Sequence, residues 1–287
     1  QLSSEITLQP INRFDLDSAI IFSDILLVPY ALGQKVEFVK DFGPKIGDFD
    51  FHRFMDNSEK DFTRKLEPVY KAIEITRKKL NKNKSLISFI GAPWTLMVYM
   101  LNLKIDKHHL DLKNLQNKNF EMDKILNELI KYLCIHIKNQ INAGADVIQI
   151  FDSWAGLIPN DKIKKLCFIP NARITDYCKN KKIPSICFPK GLKEKYEDFN
   201  IFVKPDGLNL DPDIDPIWAK KKLTNVVLQG GLDPKILLQK EDEIFKAATK
   251  YIKTFNDIPY VFNLGHGLLP ETDPDKVDML IKFYRNS

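Results

Sequence analysis

The sequence predicts an α/β protein folded as a (β/α)8 barrel of the TIM type, and three observations carry that expectation. Short β-branched, apolar runs alternate with longer stretches of helical spacing along all 287 residues, the pattern of parallel βα units rather than of separate helical and sheet regions. Several of the short runs are apolar at nearly every position, as parallel strands are when both faces are covered. The length suits a single barrel of about 250 residues, so residues 1–287 are read as one domain.

In chain order, residues 9–15 read as the end of a helix leading into a first strand at 19–23. Further strands are expected at 85–90, 146–150, 183–188, 207–210, 225–229 and 260–264. The clearest helix spans 120–143, where Met122, Ile125, Leu126, Leu129, Leu133, Ile137 and Ile141 recur three and four apart and Gly144 suits a left-handed C-terminal cap. Pro93 opens a helix after the second strand. Asp233-Pro234 and Asp273-Pro274 each set an acidic cap before a proline, whose missing N–H costs nothing in a first turn. The Lys- and Asn-rich stretches 78–84 and 113–119 read as solvated helix ends or loops. Seven strands are one short of a closed barrel. The shortfall falls at the front, so a strand and its loop are expected to precede Gln1 in the intact protein.

Composition narrows the function. With 44% hydrophobic and 28% charged residues the chain can build a sizeable core, which excludes a disordered or collagen-like protein. No apolar run reaches the roughly 18 to 20 residues that cross a bilayer, so no membrane association is expected. The net charge of +5 comes from 43 basic residues scattered among 38 acidic ones, only six of them arginine; that is not the basic face of a nucleic-acid binder. Cys134, Cys167, Cys178 and Cys187 form no C-x-x-C pair and read as buried free thiols of a reducing, cytoplasmic compartment.

In such barrels chemistry sits where strands end at their carboxyl side. Asp24 interrupts an apolar run after the first strand, where an acid is costly to bury without a donor or a cation; it either caps the loop backbone or serves the site. Tyr99 lies in the helix that begins at Pro93, as a core aromatic or a ligand contact. Ser153 follows the third strand within Phe151-Asp152-Ser153-Trp154, whose aromatics suggest a flat apolar ligand. Gly265 and Gly267 flank His266, so that backbone can approach a ligand and the imidazole stands at the opening. His52, His108, His109 and His136 lack such a setting. Gln229-Gly230-Gly231 lacks the spacing of a phosphate-binding loop and reads as an ordinary turn. No zinc-ligand spacing and no G-x-S-x-G elbow occur.

Taken together, 22–29 with Ala31-Leu32-Gly33, Gly91-Ala92-Pro93-Trp94-Thr95, Phe151-Asp152-Ser153-Trp154-Ala155-Gly156, Gln229-Gly230 with Leu232-Asp233-Pro234, and Asn263-Leu264-Gly265-His266-Gly267 resemble the uroporphyrinogen decarboxylase family, as does 8–14. The motifs follow the family's order from end to end of the chain. The resemblance implies a homodimer that converts the four acetate side chains of uroporphyrinogen III to methyl groups, giving coproporphyrinogen III in haem biosynthesis. It implies no metal and no organic cofactor. Carried onto this sequence, it implies Asp24 as the catalytic residue and Asp24, Tyr99, Ser153 and His266 as substrate-binding residues.

The family's arginine-containing Met-Arg-Gln-Ala-Gly-Arg motif after its first strand is absent here. The chain as given is therefore expected not to bind substrate productively, and upstream residues of a homologue should restore activity. Gly231 stands where the family often has Asn, Tyr30 varies a commonly polar position, and 101–119 has no glycine where relatives carry a glycine-rich loop. The group that protonates the ring carbon stays open among a substrate-binding Arg, Asp24 through water, and Tyr99. The rivals are a zinc-dependent methyltransferase of the same superfamily, which needs a thiolate that 263–267 does not offer, and a tetrapyrrole-binding protein without turnover.

Overall fold

The computed structural model describes residues 1–39, 43–112 and 119–287. Seven parallel strands form one sheet in the order β1 (Ser18–Ile20), β4 (Ser85–Gly91), β5 (Val147–Asp152), β6 (Ser185–Pro189), β7 (Gly207–Leu210), β8 (Val227–Gly230) and β9 (Tyr260–Val261), and each neighbouring pair is hydrogen-bonded in parallel. Chain order and sheet order agree, as they do when each strand is followed by a crossover that returns on the same side. All seven expected strands are present, so seven βα units of the predicted barrel are in place. All four residues of β7 are buried, the signature of a strand covered on both faces.

Helices lie between the strands, some of them capped by a side chain. α1 (Leu2–Arg13) precedes the sheet, and α2 (Leu27–Ala31) and α3 (Phe51–Met55) are short. In α4 (Glu59–Lys79) the Ser58 hydroxyl accepts the Asp61 N–H at 3.1 Å, an N-cap. α5 (Pro93–Met100) begins at its proline as expected. α6 (Asn119–Asn142) is the long helix foreseen, and Gly144 beyond it takes a left-handed φ of 109°. α7 (Ile169–Asn180), α8 (Tyr196–Val203), α9 (Pro216–Lys222), α10 (Glu241–Phe255) and α11 (Pro274–Arg285) follow among the described residues.

Four local expectations change. The first strand ends at Ile20, because the backbone of Phe22 turns to α1: its N–H donates to the Thr7 hydroxyl at 2.9 Å and its carbonyl accepts from Ser3. The last strand stops at Val261, and only Leu264 regains a bridge, to Leu232. Asp233-Pro234 opens a short 3-10 turn over Pro234–Leu238, with Asp233 accepting the Lys235 N–H at 2.9 Å; Asp273-Pro274 does open an α-helix. An antiparallel pair, β2 (Val36–Val39) and β3 (Gly43–Ile46), was not foreseen. Residues 113–118, read as loop, lie outside the described residues.

At the amino ends of the strands, carboxylates stitch neighbouring units together. Asp146 accepts the Leu86 N–H at 2.7 Å and the Arg77 guanidinium at 2.6 Å, while Asp206 accepts the Ser185 N–H at 2.9 Å. Arg77 also donates to the carbonyls of Leu80, Asn81 and Lys84, closing the C-terminus of α4. The four thiols are free; Cys167, Cys178 and Cys187 are buried and Cys134 is only partly so. Among the described residues no helix is long and apolar enough to cross a membrane.

Candidate active site

The carboxyl ends of the strands carry the polar residues that the sequence singled out. Asp24 lies in the turn after β1, half-buried. Its Oδ1 accepts the Leu26 N–H at 2.7 Å, a local side-chain turn, and Oδ2 has no hydrogen bond among the described residues. Burial raises the Asp24 pKa above its ordinary value, opposed by the Leu26 N–H. Both readings of Asp24 therefore hold at once: one oxygen caps the backbone, and the other is left for a ligand.

Tyr99 projects from the last turn of α5, which the Ala92 N–H ties to the Phe151 carbonyl at 2.9 Å. Its ring meets the Trp154 ring edge-on, centroids 6.0 Å apart at 72°. Burial raises the phenol pKa; the neighbouring Trp154 indole N–H opposes this and the negative charge of Asp24 adds to it. Asp24 and Tyr99 thus sense each other across the same opening. Trp154 is 8% exposed and its indole N–H has no acceptor in good geometry, so this ring braces Tyr99 instead of lying open as a platform. Phe151 is occupied edge-on by Phe89 and Phe188.

Ser153 is exposed on a loop whose stiffness comes from the residue before it. Asp152, 1% exposed, accepts the Thr95 hydroxyl at 2.7 Å and the Asn171 amide at 3.0 Å. Thr95 in turn receives the Trp154 N–H at 3.3 Å, and the Trp94 indole donates to the Trp154 carbonyl at 3.1 Å. Burial raises the Asp152 pKa against the Thr95 and Asn171 hydrogen bonds.

His266 belongs to a second cluster. Its imidazole reaches solvent, yet the surrounding wall desolvates it enough, with Lys190 adding positive charge, to depress its pKa. Lys190 follows β6, and Asp211 follows β7. Asp211 Oδ2 accepts the Gly191 N–H at 2.6 Å and the Tyr196 hydroxyl at 2.9 Å. Burial raises the Asp211 pKa, opposed first by the Gly191 N–H. The Ser153 loop and the Lys190 loop are held in contact by two glycines: a Cβ on Gly156 would stand 2.5 Å from the Gly191 carbonyl oxygen. The Gly156 N–H donates to the Lys190 carbonyl at 2.9 Å, and the Lys190 N–H to the Asp152 carbonyl at 3.1 Å.

The structure therefore brings Asp24 and Tyr99 together, with Ser153 on the loop that braces Tyr99, and sets His266 apart with Lys190 and Asp211. Sequence reasoning marked Asp152 as part of the Phe151–Trp154 motif without giving it a role, and missed Lys190 and Asp211. The available signal was positional, since Pro189-Lys190-Gly191 and Leu210-Asp211 are the polar ends of strands predicted at 183–188 and 207–210. His136 is a buried packing residue, bonded to Tyr70 at 3.0 Å and Gln140 at 2.9 Å. The Gln229-Gly230-Gly231 turn has its Gly230 and Gly231 carbonyls taken by Tyr260 and Tyr251, as suits an ordinary turn. A cavity of about 1080 Å3 beside Lys204, Asn225 and Pro259 opens at the opposite, amino end of the strands, away from these groups. Among the described residues no three His, Cys, Asp or Glu side chains are grouped to hold a metal.

The family model described as uroporphyrinogen decarboxylase (URO-D) matches residues 1–287. A curated relative from Rickettsia bellii named uroporphyrinogen decarboxylase is 42% identical over 291 residues, covering 99% of this chain and 84% of the relative. One from Orientia tsutsugamushi with the same name is 38% identical over 293 residues, with the same two coverages of 99% and 84%. Among solved structures, a methyltransferase from Methanosarcina mazei superposes with a TM-score of 0.81 at 17% identity, over 99% of this chain and 85% of that one. At that identity the likeness speaks for the barrel fold alone.

Proposed function

The chain belongs to the uroporphyrinogen decarboxylase family, and from that premise we infer that it is a carboxy-lyase converting the acetate side chains of uroporphyrinogen to methyl groups in porphyrin and haem biosynthesis. We further propose that it works without a cofactor, as a homodimer, in the cytoplasm, with residues 1–287 forming one barrel domain.

The chemistry sets what the site must supply. Each step takes up one proton and releases one carbon dioxide, so that –CH2–COO⁻ becomes –CH3. When the C–C bond breaks, its electron pair must go into the pyrrole, which accepts it only after a ring carbon has been protonated and the ring has become cationic. A preorganised negative group beside that developing cation, in a desolvated setting, lowers the barrier more than most other devices. The observation that carries this reading is the half-buried Asp24, anchored through Oδ1 to the Leu26 N–H and with Oδ2 open. In this proposal Asp24 accepts the pyrrole N–H groups and balances the cation. Tyr99, Ser153 and His266 bind the rim of the macrocycle.

The test is product analysis with uroporphyrinogen, on the chain itself and on a fusion carrying upstream residues of the Rickettsia bellii relative. Asp24→Asn keeps an oxygen for the Leu26 N–H, so the fold should persist while kcat falls about 100- to 1000-fold, or about 3–4 kcal/mol of barrier. Turnover by that variant at the parent rate would refute the role of Asp24, whereas no turnover by the parent or the fusion would refute the activity itself.

A further inference from the structure

Resting on the decarboxylase reading, we propose that Lys190 is a substrate-binding residue whose ammonium, together with the His266 imidazole, receives one peripheral carboxylate of the tetrapyrrole. The argument begins with position. Lys190 is the first residue after β6, at the carboxyl end of the sheet where Asp24 and Ser153 also lie. Its backbone is fixed on both sides, by its N–H to Asp152 and by its carbonyl to the Gly156 N–H. The side chain therefore springs from a rigid point, contiguous with the Ser153 loop through the Gly156 and Gly191 contact.

Its charge is not neutralised locally. The half-buried Lys190 makes no side-chain hydrogen bond or ion pair among the described residues, unlike Lys195, which bonds to Asn160, and Lys165, which pairs with Asp123. Asp211 turns its Oδ2 to the Gly191 N–H and the Tyr196 hydroxyl; it forms no ion pair with Lys190 while remaining within electrostatic reach. A half-buried cation without a counter-ion, at an opening that also holds Asp24 and Asp211, is suited to an anion brought in from outside. Without such a cation the two acids would repel a substrate with eight carboxylates.

His266 completes the pair. Burial and the Lys190 charge depress its pKa, and the negative charge of Asp211 only partly opposes them. A neutral imidazole at physiological pH can donate one N–H to a carboxylate that the Lys190 ammonium holds by charge, so the two groups divide attraction and direction between them.

The experiment is titration with uroporphyrin, the stable oxidised form that keeps all eight carboxylates, followed by porphyrin absorbance. It compares the parent chain with Lys190→Met, Lys190→Arg and, as a control at the opposite end of the barrel, Lys204→Met. Thermal melts establish that each variant is folded. Lys190→Met should raise Kd about tenfold, the loss of one charge-assisted contact; Lys190→Arg should recover most of it and Lys204→Met should change nothing. In parallel, the His266 ring, followed by proton NMR, should titrate at higher pH in Lys190→Met than in the parent. Equal Kd values for the parent and Lys190→Met would overturn the assignment and leave the decarboxylase reading standing. The same titration is run on the fusion carrying upstream residues of the Rickettsia bellii relative, and no affinity for uroporphyrin in either the parent or the fusion would overturn the decarboxylase reading and this assignment with it.

Discussion

The two ends of the barrel use the same side chain in opposite ways. At the amino ends, Asp146 and Asp206 each accept a backbone N–H of the adjoining strand, and Asp146 also the Arg77 guanidinium. At the carboxyl ends, Asp24, Asp152 and Asp211 are held where burial outweighs their hydrogen bonds and their pKa values rise. Carboxylates that tie strands together serve stability, whereas those whose burial outweighs their hydrogen bonds hold electrostatic energy that a cation or a proton can release. In this chain that division runs along the strand direction, as barrel architecture predicts.

Substitutions at each end can break or sharpen this contrast. The largest effect belongs to Asp24→Asn, already described, which should depress turnover about 100- to 1000-fold with the melting temperature nearly unchanged. Arg77→Met is its mirror image: it removes the guanidinium that spans Asp146 and three carbonyls. Denaturant unfolding should show a loss of about 2–3 kcal/mol, with uroporphyrin affinity per folded molecule preserved; a loss of affinity at full stability would erase the contrast. Gly156→Ala tests the mouth itself, because the added methyl meets the Gly191 backbone. It should cost about 1–3 kcal/mol and also weaken uroporphyrin binding, by pushing apart the loops that bear Ser153 and Lys190.

The smallest predicted effect per unit change is a pH dependence seated in neither end. Burial pulls the His136 pKa from 6.5 down to about 3. The unfolded chain therefore takes up a proton that the folded chain refuses, and stability must fall as pH drops from about 6.5 towards 3. The slope in that window is about 1.4 kcal/mol per pH unit. His136→Gln should flatten the acid limb of a stability–pH profile measured by urea unfolding; an unchanged slope would show that other groups set it.

Much of this was legible in the sequence. Buried parallel strands are apolar at nearly every position, so all seven could be read, and Pro93 and Gly144 punctuate helices by backbone chemistry that needs no tertiary context. Strand ends were harder to read. Phe22 looks like strand in isolation, but its backbone is claimed by Thr7 and Ser3 from α1, a contact that spacing cannot reveal. The site followed the same rule. Asp24 and His266 announced themselves as polar residues in apolar or glycine-flanked settings, and Tyr99 needed the family resemblance. Lys190 was one lysine among many, and what sets it apart is a half-buried place at the mouth with no counter-ion among the described residues, which only three-dimensional placement exposes. The hairpin of β2 and β3 gave no signal strong enough to distinguish it from loop.

The thiols described with the fold have a practical consequence. Burial pushes Cys134 up to about 11 and Cys178 and Cys187 up to about 12, and it raises Cys167 well above its ordinary value. Near neutrality all four should stay protonated and slow toward alkylating reagents. A fifth cysteine engineered onto an exposed position such as Ser153 could then be labelled with a fluorophore or spin probe in the otherwise native background, reporting on ligand arrival without first stripping sulfur from the interior.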